Sequence, residues 1–257
     1  MFDFIYSNLR IRKYLMLVRA IFFLKILKRR IKEIDILSDN VTPNTIFTNK
    51  RLIVSNNDSE IKKHPRAKYF FGISLDLTAV KSSWVIRALK AIPEIYHNIK
   101  KQKVLIIGPR NEAEIFNFRG SGFLGKNITA IDLMSYSPLI QLGDMHNLEF
   151  NENSFDIVYA GWVIAYSENK IKAIDELVRV VKNGKFIAIG WSVSNVTNEE
   201  IIKERGYMIG SKDRVKNIDD ILTLFNSYKY EIVFSSPRNM NKNKKNNQII
   251  LILQIQK

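Results

Sequence analysis

Cysteine is absent from the 257-residue chain, and histidine occurs only three times. Without cysteine the protein can have no disulfide, no thiolate-bound metal and no cysteine nucleophile. The histidines, His64, His97 and His146, do not fall at the spacing of metal ligands, which argues against a zinc site. Hydrophobic residues at 46% and charged residues at 25% are ordinary for a folded domain, so we do not expect disorder as the main state.

Acidic residues are scarce relative to basic ones. The chain has 25 Asp and Glu against 40 Lys and Arg, a net charge of +15. Such a field favours anionic partners: nucleic acid, phospholipid headgroups or phosphorylated small molecules. The alternative is a lysine-rich surface that reflects coding bias, because asparagine, isoleucine and lysine are plentiful throughout. The net charge alone does not distinguish binding of an anionic partner from coding bias.

Residues 1–36 contain no proline or glycine, and no uncharged run in them approaches the roughly 20 residues needed to span a bilayer. They also lack the small-residue cleavage site of a signal peptide. Basic residues alternate with bulky apolar ones, which predicts a basic amphipathic N-terminal helix. Such a helix lies in a membrane interface or docks on its own domain or on a partner subunit. Both placements stay open.

The remaining chain divides at about residue 100. Residues 37–100 are a lead-in of loops followed by helix, in which Pro93 kinks or divides the helical pattern. From 101 to 257, apolar strands joined by helices predict a doubly wound, mostly parallel sheet with a C-terminal antiparallel hairpin. The predicted strands are Val104 to Ile107, Asn127 to Leu133, Leu139 to Leu142, Phe155 to Ala160, Lys185 to Gly190, Glu231 to Phe234 and Ile249 to Ile255. Helices are predicted at about 111–118 and 168–182, the second ended by Asn183-Gly184.

Several motifs follow one another in this second part. A strand ends at Gly108, and the next strand ends at Asp132. Gly143-Asp-Met-His-Asn-Leu-Glu-Phe150 and Ser154-Phe-Asp-Ile-Val158 come next, and Ile174-Asp-Glu-Leu-Val-Arg-Val-Val-Lys-Asn-Gly184 closes the series. In order and spacing these segments resemble the class I S-adenosylmethionine-dependent methyltransferases, in particular the methyltransferase type 11-like domains. The resemblance implies a Rossmann-like α/β fold and S-adenosyl-L-methionine as cofactor.

Ligands of open α/β sheets bind beyond the carboxyl ends of the strands. The resemblance implies that Gly108 allows close approach of the cofactor, that Asp132 accepts hydrogen bonds from the ribose, and that Asp144 and Met145 hold the adenine. The alternatives are that Gly108 serves only the turn and that either aspartate only caps a helix or loop. The complete set of predicted cofactor-binding residues is Gly108, Pro109, Arg110, Glu112, Asp132, Leu133, Asp144, Met145, His146, Ala160 and Trp162.

The chain departs from the family pattern in the glycine loop, which keeps one glycine of G-x-G-x-G. Arg110 could pair with the methionyl carboxylate, block the pocket or face solvent. Only 12 positions separate Asp132 from Asp144 (144 − 132 = 12), so the helix between these strands is expected to be missing or reduced to a turn. The catalytic residue is not determined: His146 is a candidate general base, although an adenine-side contact is the more frequent role. Trp162 and Tyr166 are candidate pocket walls, or core residues.

Together with the resemblance, these features predict a methyltransferase that acts on a small-molecule, glycan or lipid-linked acceptor. We expect it in the cytoplasm, or peripherally at a membrane through residues 1–36. The alternative is a catalytically inactive methyltransferase-like binding protein. A third hypothesis, nucleic-acid binding, has only the charge in its favour. The N-P-P-Y motif of nucleobase amino-methyltransferases is absent, and so is the G-x-G-x-x-G of nicotinamide dehydrogenases.

Overall fold

The computed structural model describes nine segments of the chain. They are 46–47, 52–53, 80–109, 112–133, 139–167, 169–197, 199–200, 214–237 and 246–257. The predicted helix at 1–36, Arg110 and the predicted turn at 135–138 lie outside the described residues. Within them, no helix combines the length and apolar character needed to cross a bilayer.

Seven strands form one sheet, and two short strands pair separately. The pair is β1 (Ile46–Phe47) with β2 (Leu52–Ile53), antiparallel. The sheet strands are β3 (Val104–Ile107), β4 (Ile128–Asp132), β5 (Gln141–Leu142), β6 (Phe155–Gly161), β7 (Val181–Ser194), β8 (Lys229–Ser236) and β9 (Asn246–Gln256).

The order of the strands in the large sheet is β5-β4-β3-β6-β7-β9-β8. Neighbours from β5 to β7 run parallel, whereas β9 is antiparallel to both β7 and β8. Strand order reverses between β3 and β6, which is the switch point where ligands of such sheets bind. The predicted mixed sheet with a C-terminal antiparallel hairpin is confirmed, and the two-residue β5 is a short strand at the edge.

Helices cover both faces of the sheet, because β3, β6 and β7 are apolar on both sides. The α-helices are α1 (Val80–Lys90), α2 (Pro93–His97), α3 (Ala113–Gly120), α4 (Lys170–Val180) and α5 (Ile218–Thr223), and 3₁₀ turns cover Gly125–Asn127 and Ile164–Tyr166. Helices α1 to α3 share one apolar cluster with the sheet, and α4 and α5 share the other. Pro93 begins α2, as predicted for a divided helix.

One local prediction was wrong, and one helix was not predicted. Helix α4 ends at Val180 rather than at Asn183-Gly184, because Val181 already pairs with Phe155 and the chain becomes extended there. Helix α5 was not predicted, although its start carries a capping signal: the Asn217 side chain accepts a 2.9 Å hydrogen bond from the Asp220 backbone N–H. The end of α4 is thus set by strand pairing across 26 positions (181 − 155 = 26), which the apolar periodicity of the helix does not show.

Candidate functional site

The carboxyl ends of β3, β4 and β5 meet at one edge of the sheet. Ile107 pairs with Ile131, and the Gly108 N–H continues the ladder by donating to the Ile131 carbonyl at 2.8 Å. Asp132 pairs with Leu142, and the Gly143 N–H donates to the Asp132 carbonyl at 3.0 Å. The backbone therefore brings three predicted positions, Gly108, Asp132 and Asp144, to adjacent places on this edge.

Gly108 has a left-handed backbone with φ of +65°. A Cβ at this position would lie 2.4 Å from Cγ2 of Val163, which follows β6. Glycine is thus required twice, once by the conformation and once by the close packing of Val163. On the far side of the turn, Pro109 and Glu112 are buried.

The segment after β5 is held by a chain of short hydrogen bonds. Oδ1 of Asp144 lies 2.6 Å from Nδ1 of His146 and also accepts from the His146 backbone N–H at 2.9 Å. Nε2 of His146 lies 2.6 Å from the Ser167 hydroxyl. A proton on Nδ1 satisfies both ring contacts, since Nε2 then accepts from serine. The hydrogen bond from His146 holds the pKa of Asp144 below its usual value, so the carboxylate stays ionised near neutral pH.

This arrangement gives His146 a positioning function within the segment. Both ring nitrogens are engaged, and the buried Ser167 belongs to the loop after β6. His146 therefore ties the Asp144 segment to that loop. Nothing in the sequence pattern indicated Ser167, because it lies 21 residues away from His146.

Glu176 and Arg179 of α4 hold the other end of the same segment. A Glu176 carboxylate oxygen accepts from the Leu148 N–H at 2.6 Å. The Arg179 guanidinium donates to the carbonyls of Leu148 and Phe150, both at 2.7 Å, and pairs with Glu176 at 2.7 Å. Arg179 lowers the pKa of Glu176 through this hydrogen bond. Both residues lie in the motif from Ile174 to Gly184, but the sequence pattern did not indicate that they support the site.

Trp162 is directed toward β7 and β9. Its backbone is left-handed, with φ of +60°, and its N–H donates to the Gly190 carbonyl at 2.7 Å. The indole covers Gly190, where a Cβ would lie 2.7 Å from the ring, and Nε1 donates to Gln248 at 2.8 Å. Trp162 thus lies beside the β3–β4–β5 edge, not over it. Tyr166 is 38% exposed.

The other predicted residues occupy less exposed positions around the edge. Met145 and Ala160 are buried in the apolar cluster that lies under α4. Leu133, directly after β4, is half-buried. In the part of the chain that the structure describes, no group of three His, Asp or Glu side chains could hold a metal ion.

Comparison with known proteins shows what the chain is similar to. Residues 120–189 match the model of the family described as "Methyltransferase domain". The matched segment runs from the last residue of α3 into β7 and contains Asp132, Asp144 and His146. S-adenosylmethionine is the cofactor of the class I methyltransferases that this fold resembles. No curated protein matches the chain in sequence.

Solved structures with a similar fold share little sequence with this chain. The MccD protein is 13% identical with a TM-score of 0.50, covering 67% of this chain and 97% of its own. The N-methyltransferase NodS from Bradyrhizobium japonicum WM9, in complex with S-adenosyl-L-homocysteine, is 14% identical with a TM-score of 0.47, covering 78% and 93%. The [4+2]-cyclase SpnF is 13% identical with a TM-score of 0.45, covering 60% and 74%. At such identities the likeness concerns the fold alone.

Proposed function

We propose that the protein is an S-adenosylmethionine-dependent methyltransferase whose acceptor is a small molecule, a glycan or a lipid-linked intermediate. The observation that carries the proposal is the convergence of Gly108, Asp132 and Asp144 at the carboxyl edge of three adjacent parallel strands. The family match over 120–189 supports it independently. We also propose the division into a helix at 1–36, a lead-in at 37–100 and a catalytic domain at 101–257, with 1–36 contacting a membrane surface.

The residues at this edge fit an adenosyl group. Gly108 supplies the left-handed backbone at the turn after β3 and leaves that end of the strand without a side chain. Asp132 offers a carboxylate at the end of β4, suited to two ribose hydroxyls. Asp144 is 43% exposed, and its Oδ1 is the oxygen bound to His146. Its second carboxylate oxygen is therefore suited to an adenine amino group, and Met145 to the ring.

The reaction needs alignment more than acid–base chemistry. When bound, S-adenosylmethionine would supply an electrophilic methyl group, and Asp132, Asp144 and Met145 are the residues that would hold it. The protein holds the acceptor in line and excludes water. His146 keeps Asp144 in place through Nδ1 and reaches Ser167 through Nε2. We propose that His146 positions the cofactor segment and that the acceptor proton passes to solvent.

Isothermal titration calorimetry with S-adenosylmethionine and S-adenosylhomocysteine tests cofactor binding. We expect saturable binding that Asp132→Asn weakens at least about tenfold, because hydrogen bonds to a charged group contribute about 1.5–3 kcal/mol each. Asp219→Asn is the matched control, since Asp219 is an exposed carboxylate in the first turn of α5. Absence of saturable binding at millimolar cofactor would refute the proposal, as would equal affinities of the two variants.

A catalytically inactive binding protein is the second candidate. Two observations favour it: both ring nitrogens of His146 are engaged, and Val163 packs tightly against the single glycine of the loop. Transfer of a labelled methyl group to a panel of amine, hydroxyl and carboxylate acceptors distinguishes the candidates. Saturable cofactor binding without transfer to any acceptor class supports the binding protein, whereas transfer excludes it.

A further inference from the structure

Three side chains form a hydrogen-bonded series that runs from the loop after β6 to the carboxyl edge of the sheet. The Ser167 hydroxyl lies 2.6 Å from Nε2 of His146, and Nδ1 of His146 lies 2.6 Å from Oδ1 of Asp144. The same order of groups occurs in serine hydrolases, where the serine is the reacting end. Here Ser167 is 1% exposed, whereas the side chains of His146 and Asp144 are 20% and 43% exposed. The end that a ligand can reach is therefore the carboxylate, not the hydroxyl.

Hydrogen-bond chemistry fixes the direction of each bond in this series. An ionised carboxylate can only accept, so Nδ1 of His146 carries the proton that it donates to Asp144. Nε2 of the neutral ring is then an acceptor, and the Ser167 hydroxyl is the donor to it. In the described part of the chain, Ser167 is the only group bonded to Nε2. Ser167 thus holds the imidazole ring on the side away from Asp144.

The carboxylate of Asp144 is held by two donors on one oxygen. Besides the His146 ring, the His146 backbone N–H donates to Oδ1 at 2.9 Å. Two donors on Oδ1 fix the rotation of the carboxylate and with it the direction of Oδ2, to which no group among the described residues donates. The hydrogen bond from the ring lowers the pKa of Asp144, so Oδ2 stays an acceptor near neutral pH.

The backbone around Asp144 is anchored as well. Asp144 and Asn147 form an antiparallel bridge, in which the Asn147 N–H donates to the Asp144 carbonyl at 3.1 Å. Met145 and Leu148 are buried in the apolar cluster that lies under α4. Because this turn cannot adjust freely to a ligand, the orientation of the Asp144 side chain decides which group of a ligand fits beside it.

An acceptor held in this way distinguishes purine bases by one group. The 6-amino group of adenine donates hydrogen bonds, and unsubstituted purine is the same ring system with hydrogen at that position. Hydrogen bonds to an ionised group are about twice as strong as those between neutral groups. A site that is built to bind a donor rejects a ligand that lacks it, because the polar group of the site stays unpaired. A carboxylate that rotates freely would turn its oxygens to water and discriminate less.

We propose that Ser167 is a positioning residue: through His146 it holds Asp144 in the orientation that restricts the cofactor pocket to bases with a 6-amino group. The inference rests on the proposed methyltransferase function and concerns the selectivity of the same site. The loop that carries Ser167 also carries Val163, which packs against Gly108. One loop therefore supports both the turn after β3 and the segment after β5.

Isothermal titration calorimetry with S-adenosylhomocysteine and with its analogue containing unsubstituted purine measures this selectivity. We expect the wild type to prefer S-adenosylhomocysteine at least about tenfold, and Ser167→Ala to reduce this ratio of Kd values at least about threefold. Ser82→Ala is the matched control, because Ser82 in α1 is also 1% exposed and accepts a 2.9 Å hydrogen bond from the Asn117 side chain. The control is expected to keep the ratio, and so is Ser167→Thr, which retains the hydroxyl.

Nitrogen-15 NMR of the His146 ring tests the hydrogen-bonded series without any ligand. The chain has only three histidines, so the ring signals of His146 can be assigned. In the neutral ring we expect the proton on Nδ1 and an Nε2 signal that Ser167→Ala moves toward that of a nitrogen without a hydrogen bond. A proton on Nε2 would overturn the inference, and this measurement on the wild type does not depend on the folding of a variant.

The calorimetric outcomes separate the inference from the function on which it rests. A wild type that binds neither ligand would refute the methyltransferase proposal together with the inference. A wild type that binds both ligands equally would overturn only the inference. Equal weakening of the two ligands by Ser167→Ala would show that the hydroxyl contributes to stability alone, and it would overturn the inference too.

Discussion

The tight contact between Gly108 and Val163 makes a prediction in which strain and packing can be separated. Gly108 and Gly184 both have left-handed backbones, with φ of +65° and +70°. A Cβ on Gly108 would lie 2.4 Å from Val163 Cγ2, whereas a Cβ on Gly184 would have nothing within 4 Å. Alanine at Gly184 therefore introduces backbone strain alone, and alanine at Gly108 introduces strain together with overpacking.

The magnitudes follow from these two effects. Left-handed backbone costs an L-residue about 1–2 kcal/mol, which both variants share. Overpacking of a rigid neighbour adds about 1–3 kcal/mol in Gly108→Ala only. The loss of unfolded-state entropy on replacing glycine is common to both variants and cancels in the comparison. We expect Gly184→Ala to lower the free energy of unfolding by about 1–2 kcal/mol and Gly108→Ala by about 2–5 kcal/mol.

Urea denaturation of the two variants, of Val163→Ala and of the double variant Gly108→Ala/Val163→Ala measures these differences. Trimming Val163 removes the clash, so the double-mutant cycle is expected to give a coupling of about 1–3 kcal/mol. Equal destabilisation by the two glycine substitutions, or a coupling near zero, would refute the idea that Val163 packs rigidly against the turn. S-adenosylmethionine binding is then expected to recover in the double variant only in part, because the strain at position 108 persists.

Two further predictions concern the segment after β5 and the N-terminus. Arg179→Met is expected to lower the free energy of unfolding by about 2–4 kcal/mol and to weaken cofactor binding, because hydrogen bonds from its guanidinium to two carbonyls and to Glu176 are lost. The control is Arg87→Met, since among the described residues the Arg87 guanidinium contacts only Ser83, on its own helix. Urea denaturation and calorimetry are expected to show no change for the Arg87 variant. Deletion of residues 1–36 is expected to abolish co-sedimentation with liposomes of anionic lipid, and undiminished pelleting of the shortened protein would contradict the proposed membrane contact.

Much of the fold was predictable because it depends on local pattern. Apolar runs at Val104–Ile107 and Phe155–Gly161 are strands in the structure, with bounds within one residue of those predicted. The mixed sheet was predictable too, since helices joined the earlier strands and a polar tip joined the last two. Strand β7 is longer than predicted at both ends, because Val181 pairs with Phe155 of β6 and because pairing with β9, far away in sequence, continues to Ser194.

The candidate site was predictable only where a motif is continuous in sequence. Gly108, Asp132 and Asp144 each end a strand or follow one, so the sequence alone placed them at the carboxyl edge. Their roles as cofactor ligands remain a prediction. The supporting contacts were not foreseeable: Val163 against Gly108 and Ser167 against His146 both come from the loop after β6.

The sequence by itself determined most of the element types, the switch-point edge and the family resemblance, because periodicity and motif spacing act over short stretches of chain. Only the tertiary structure decided what lies beside that edge. Lys81 meets Ser192 across 111 residues, and Trp162 meets Gln248 across 86. Such contacts depend on strand order and on the register of β7 with β9, and no local sequence pattern determines either of these. A shift of one residue in that register would turn Gln248 to the opposite face of the sheet.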